Sequence, residues 1–274
     1  MKFQMLWLTL VLLAIEATST AQGKNTTIPA LIVFGDSIMD TGNNNNLSTP
    51  LKCNFPPYGK DFPGGSATGR FSDGRVPSDI IAEKLGLAKT LPAYMNPNLK
   101  PKDLLKGVTF ASGGTGYDPL TAQIMELHKL GARKIGVFSA VPVGCVPLQR
   151  TVFGGFLTRG CNQPLNTMAK QFNSKLSPAL DSLDKELDGV IFYIDIYDTL
   201  FDMIQHPKKY GFEVANKGCC GLGTLEISYL CNSLNPFTCS NSSAYIFWDS
   251  YHPTERAYQV IVDNLLEKYL SKVY

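Results

Sequence analysis

Short, mostly apolar runs alternate with segments of helical period, and that alternation restricts the chain to a parallel sheet covered by helices. The runs are Leu31–Phe34, Val108–Ala111, Ile135–Val141 and Val190–Ile196. Each is too short for a helix and lacks the in–out alternation of a half-exposed strand, so each reads as a buried strand. Between the third and the fourth lies the clearest helix. Met168, Phe172, Leu176, Leu180, Leu183 and Leu187 recur every three or four residues and make one apolar face. Pro178 falls inside it and is expected to kink or divide it. A short helix capped by Ser78 carries Ile80, Ile81 and Leu85. Thr121–Leu130 is helical in character, with Gly131 as its stop. A closing helix from about Thr254 to Leu270 presents Ala257, Ile261, Leu265 and Tyr269 on one side. Residues 41–75, rich in Gly, Asn and Pro, form a long loop region. No internal repeat or second domain is visible.

The first residues have the pattern of an export signal. Lys2 gives a positive start, and Met5–Ile15 is an apolar run too short to span a bilayer. Ser19-Thr20-Ala21 offers a cleavage site before Gln22. The expected organisation is therefore a signal peptide, 1–21, and one exported domain, 22–274. No later stretch is apolar enough to be a transmembrane segment. Seven cysteines fit that compartment, and none has the paired CxxC spacing of a zinc site. Disulfides are expected, with Cys219 to Cys239 as a stapled loop and at least one thiol left over, since seven is odd. Connectivity stays open. Sequons stand at Asn25, Asn46 and Asn241. With 44% hydrophobic and 18% charged residues the chain is globular, and a net charge of +2 without a basic run argues against nucleic acid as a partner.

In parallel sheets, reactive groups gather beyond the carboxyl ends of the strands. Ser37 directly follows the first strand, and Ser112-Gly113-Gly114 follows the second. Asp249 and His252 lie just before the last helix. A serine hydroxyl needs a base within hydrogen-bond reach, and the base needs a group to hold its ring. A three-residue spacing lets the Asp249 carboxylate meet the imidazole Nδ1–H, leaving Nε2 to face Ser37. Pro253 suits the first turn of the helix that follows. Singly, these residues have ordinary explanations: a serine after a strand is a turn residue, and Asp-x-x-His caps a helix or lies on the surface. The other two histidines, His128 and His206, read as surface residues. No Gly-x-Ser-x-Gly elbow is present, which argues against an ordinary α/β-hydrolase.

Several stretches together carry a specific resemblance. They are Phe34-Gly35-Asp36-Ser37 with Asp40-Thr41-Gly42-Asn43-Asn44-Asn45, then Gly69-Arg70-Phe71-Ser72-Asp73-Gly74-Arg75, and then Phe110-Ala111-Ser112-Gly113-Gly114-Thr115-Gly116. Pro142-Val143-Gly144-Cys145-Val146-Pro147, Gly218-Cys219-Cys220-Gly221 and Trp248-Asp249-Ser250-Tyr251-His252-Pro253-Thr254 complete the set. In order and spread, the chain resembles the plant-type GDSL lipases and esterases of the SGNH hydrolase superfamily, and among them the extracellular pollen-coat lipases. The resemblance implies a flavodoxin-like, doubly wound parallel sheet. It makes Ser37 the nucleophile, His252 the general base and Asp249 its orienting partner. The N–H groups of Ser37 and Gly113 would face the oxyanion, with Gly114 as second choice for the glycine. Asp36 would be a structural loop residue. Substrates would be carboxylic esters such as acyl lipids or acetylated wall components, with no metal or organic cofactor.

One block of that family is missing. Its Gly-x-Asn-Asp stretch, whose asparagine supplies a third oxyanion donor, is absent, and the chain passes from Ala122 straight to Met125-Glu126-Leu127-His128. The domain is thus expected to be internally truncated near 123–126 by one strand–helix unit, on the order of 60 to 100 residues. Such a chain reads as a spliced or mispredicted product, weakly active or poorly folded. The rival reading is a catalytically silent, secreted protein that binds lipid or glycan. A metal-dependent hydrolase lacks clustered ligands.

Overall fold

Six strands occur among the described residues, and every pairing between them is parallel. They are β1 (Leu31–Val33), β2 (Gly107–Thr109), β3 (Ile135–Phe138), β4 (Ile191–Ile194), β5 (Val214–Gly218) and β6 (Tyr245–Phe247). The computed structural model describes residues 28–115, 124–155, 158–187 and 191–273. The signal segment, Asn25 and part of the 123–126 junction lie outside them. Between the strands come α1 (Pro77–Lys84), α2 (Ile124–Lys129), α3 (Pro147–Phe153), α4 (Gln163–Glu186) and α5 (Tyr197–Gln205), and α6 (Glu255–Val273) follows β6. Parallel strands connected through helices make the fold α/β, as the sequence predicts.

The ladders differ from that expectation. The strands form three two-stranded sheets, β1–β2, β3–β4 and β5–β6, and not one continuous sheet. Leu31 pairs with Gly107, Ile135 with Ile191, and Val214 with Tyr245. Beyond β2, no described strand lies against β1, and its apolar sequence is left half in water. Ile32 is 58% exposed and the following Phe34 53% exposed. A run of this composition is normally covered on both faces.

The main core lies where α1, α5 and α6 meet β6. Val76, Ile80, Leu200, Met203, Ile246, Phe247, Tyr258 and Val262 are buried together there. A second cluster packs Leu180 and Leu187 of the α4 segment on Ile135 and Ile191, with Leu176 and Leu183 beside them. The first half of that apolar stripe is different: Met168 is 64% exposed, and the buried positions are Asn166 and Ala169. Pro178 does not divide α4. Ser174, whose carbonyl Pro178 leaves without an N–H, is exposed, so water can serve it. Asn162 caps α4 by accepting from Leu165 N–H. The cap of α1 is Val76, not Ser78. Asp79 reaches back to Val76 N–H, while Ser78 Oγ donates to Met39 O.

Three disulfides form, Cys145–Cys161, Cys219–Cys239 and Cys220–Cys231, and Cys53 is a buried free thiol. No helix among the described residues is long and apolar enough to cross a membrane.

The 41–75 region is irregular but firmly tied. Asn43 Nδ2 donates to the carbonyls of Thr109 and Ala111, and Asn44 Nδ2 to those of Leu51 and Gly113. Arg70 makes a two-pronged, buried ion pair with Asp79, at 2.6 and 2.7 Å, and the same carboxylate accepts Leu91 N–H. Removing one partner strands the other charge in the interior. Asp79→Ala is therefore expected to cost about 3–5 kcal/mol of stability, read as a fall in the denaturant midpoint, whereas an unchanged midpoint would contradict this.

Candidate active site

Ser37 sits in the turn that leaves β1. Asp36 Oδ1 accepts Ile38 N–H and Asp36 O accepts Met39 N–H, so Asp36 shapes the turn and takes no part in the contact at Ser37 Oγ. The next acid, Asp40, is fully buried and ties this turn to the glycine loop. Its Oδ1 accepts from Gly42 and Asn43, and its Oδ2 accepts Gly113 N–H at 2.9 Å. Burial raises the Asp40 carboxyl above its usual range, and those three N–H groups oppose the rise.

The second half of the site hangs from β6. Cys219 N–H and Cys220 N–H donate to Phe247 O and Trp248 O, extending the β5–β6 pairing up to Asp249. The approach is so close at Gly218 that any Cβ there would collide with the Asp249 backbone. The Asp249 carboxylate then folds over its own loop, Oδ1 accepting the N–H groups of Tyr251 and His252 at 2.7 Å each. Pro253 lies ahead of the last helix rather than in its first turn. Thr254 caps α6 instead, its Oγ1 accepting Ala257 N–H.

The two halves meet. His252 Nε2 is 2.8 Å from Ser37 Oγ, and Nδ1 is 2.8 Å from Asp249 Oδ2. Asp249 and His252 are buried and Ser37 half-buried, so the hydroxyl is the member that reaches solvent. Phe71 lies against the imidazole, ring centres 5.0 Å apart. This set can deprotonate a hydroxyl without displacing any residue.

The profile of GDSL-like lipases and acylhydrolases matches residues 31–130 and 118–265 of the chain. The chain belongs to that family. Three Arabidopsis thaliana proteins, each named as a GDSL esterase/lipase, are similar to it. The first is 69% identical over 349 aligned positions taking in all of both chains, and the second 61% identical over the same span. The third is 49% identical over 332 positions, covering 93% of this chain and 94% of its own. By membership the chain is a GDSL-type carboxylic ester hydrolase.

The expected residues are distributed as follows. Ser37, Asp249 and His252 come together. Gly113 lies nearby, but its N–H is engaged by Asp40, while the N–H groups of Ser37 and Gly114 take no partner among the described residues. Asn46 and Asn241 are exposed. His206 is on the surface, paired with Asp202, and His128 is half-buried on α2. Sequence reasoning missed Tyr58, whose hydroxyl donates to Asp249 Oδ2, and the docking of the Gly69–Arg75 stretch on α6. There Asp73 Oδ1 accepts Glu255 N–H, and Arg75 pairs with Glu255.

Burial pushes the Asp73 carboxyl from 3.8 to about 6, against the pull of Glu255 N–H and the Ser72 hydroxyl. The folded state thus holds this proton more tightly than the unfolded chain. Asp73 is expected to lower stability progressively as pH rises from about 4 to about 6, with no further change above. Asp73→Asn should flatten that part of the profile of melting temperature against pH; an unaltered profile would refute the assignment.

Proposed function

We propose that this chain is a secreted serine ester hydrolase with Ser37 as nucleophile, His252 as general base and Asp249 as the group that holds the imidazole. The observation that carries the reading is the 2.8 Å contact between Ser37 Oγ and His252 Nε2, across a separation of 215 residues. As Oγ bonds to the acyl carbon, Nε2 takes its proton and the carbonyl oxygen becomes an oxyanion. The imidazolium then protonates the leaving alkoxide as the ester C–O bond breaks, and a water molecule repeats the sequence to release the acid. Ser37 N–H and Gly114 N–H are the proposed oxyanion donors, Gly114 replacing Gly113 because Asp40 occupies the latter. Substrates are carboxylic esters, acyl lipids or acetylated wall components. Three disulfides support export to an oxidising compartment, with 1–21 as the leader and glycans on Asn25, Asn46 and Asn241.

The same reading includes a doubly wound sheet that lacks one central strand–helix unit. Four observations support the loss. The family profile matches in two stretches that overlap at 118–130. The 349 positions aligned to the first relative exceed the 274 residues of this chain by 75. The free edge of β1 leaves Ile32 and Phe34 exposed. A cavity of about 40 Å³ lies among Ile38, Met39, Phe138, Val141 and Phe247, at the ends of β1, β3 and β6. With the unit goes the asparagine donor, at a cost in rate on the order of 100- to 1000-fold. A binding-only role has one observation in its favour, the exposed stack of Phe34, Phe110 and Tyr94, which suits a lipid or a glycan.

Hydrolysis of a chromogenic short-acyl ester tests these statements. The chain is expected to turn over slowly, Ser37→Ala to abolish turnover, and reinsertion of a strand–helix unit bearing Asn-Asp to raise kcat/KM by on the order of 100-fold. Equal rates for the chain and Ser37→Ala would leave the binding-only reading. A rate already matching a complete relative would remove the impairment.

A further inference from the structure

Asp249 is fully buried, so its carboxylate depends entirely on donors from within the protein. Its own loop supplies the N–H groups of Tyr251 and His252 and the imidazole Nδ1–H. One further donor comes from 191 residues away in the chain: Tyr58 Oη, at 2.7 Å from Oδ2.

We propose that Tyr58 is a positioning residue for this site, its phenol fixing the orientation of the Asp249 carboxylate and restraining its basicity, and through it the basicity of His252. The inference rests on the reading of Ser37, His252 and Asp249 as the reacting set. The direction of the bond is fixed by its surroundings. Tyr58 Oη accepts Ser228 N–H at 2.8 Å, which engages an oxygen lone pair and leaves the O–H aimed at Asp249. Ser228 belongs to the loop closed by Cys220–Cys231, so this partner is itself held. The ring is 1% exposed and packs edge-on against Trp248 and Phe55.

The phenol also stays a donor. Burial first, and the charge of Asp249 second, push its ionisation well above the ordinary value. Other titratable groups facing the pair are the buried Cys53 thiol and the buried Tyr258 hydroxyl, both raised by burial and then by Asp249. Both are therefore neutral over the working range. A hydrogen bond from a neutral donor to Oδ2 draws charge from the carboxylate and weakens its hold on an imidazolium. Without that bond the carboxylate is freer to turn and more basic, and His252 keeps its proton to higher pH.

The test compares Tyr58→Phe with the unaltered chain on a chromogenic short-acyl ester across pH. The variant is expected to lose about tenfold in kcat with KM little changed. Its acid limb in the kcat/KM profile should move upward by about half a pH unit. Phe55→Leu, which loosens the packing and keeps the hydroxyl, should lower Tm without moving the limb. Replacing Tyr58 by a ring-fluorinated tyrosine keeps the ring and strengthens the donor, so the limb should move down; this arm decides if Tyr58→Phe does not fold. The His252 titration followed by the imidazole proton resonances reads the same shifts without turnover. The inference thus stands or falls even if Ser37→Ala leaves hydrolysis unchanged and the ester-hydrolase reading fails. A limb and a His252 titration unmoved by these changes at Tyr58 would overturn it.

Discussion

The site depends on one buried carboxylate. A carboxylate with no exposure survives only where donors converge on it, and Asp249 is met by two backbone N–H groups, an imidazole and a phenol. These donors come from different places, and each explains a piece of the fold. The loop N–H groups require the chain to turn back directly after Trp248. The close approach at Gly218 and the bonds from Cys219 and Cys220 set where that turn begins. The disulfides around it close the loop that carries Ser228, which aims Tyr58. The cysteine-rich segment is therefore part of the structure that holds the acid.

The serine side is built by another means. The β1–β2 ladder is three residues long, continued by Phe110 N–H to Val33 O and Ser112 N–H to Gly35 O, and two-stranded pairing of that length is weak alone. Side chains take over: Asn43, Asn44 and Asp40 bond across to the carbonyls and N–H groups of the glycine loop. One consequence bears on chemistry. The Gly113 N–H that stitches the two loops is not at the same time free for an oxyanion. In the proposed reaction that role passes to Gly114, with φ of 90° and an N–H that has no partner among the described residues.

Much of this was legible in the sequence, and what was not has physical causes. Leu31–Phe34 and Ile135–Val141 announce strands because apolar runs bounded by turn residues have few other uses. Ser37, Asp249 and His252 were readable because a reacting serine needs those partner types, and because whole blocks around them resemble one family. Strand β5 was not readable: Val-Ala-Asn-Lys-Gly carries neither alternation nor an apolar run, and it pairs because the Gly218–Asp249 approach holds it there. Tyr58 was hidden for the same reason, since its partner lies far along the chain and no local pattern reports a tertiary hydrogen bond. The stripe on α4 misled at Met168, because periodicity marks a face that seeks cover, not one that has found it. The single sheet is not seen among the described residues, whose strands pair two by two and leave β1 without a neighbour beyond β2.

The split sheet raises the question of how the Ser37–His252 contact survives it. In an intact parallel sheet the ladder fixes the spacing between strand ends, so a break should let Ser37 and His252 drift apart. Here the link between the two halves bypasses the ladder. Asp73 accepts the N–H that opens α6, Arg75 pairs with Glu255, and Phe71 packs on the imidazole. The same stretch is anchored to α1 through Arg70 and Asp79, and Ser78 of α1 bonds to Met39, two residues past Ser37. A side-chain network thus runs from the serine turn through α1 and the Gly69–Arg75 stretch to the histidine, without passing through the gap beside β1. The proposed loss of a central strand would fall on the sheet's stability, while the hydroxyl–imidazole–carboxylate line is held from the other side.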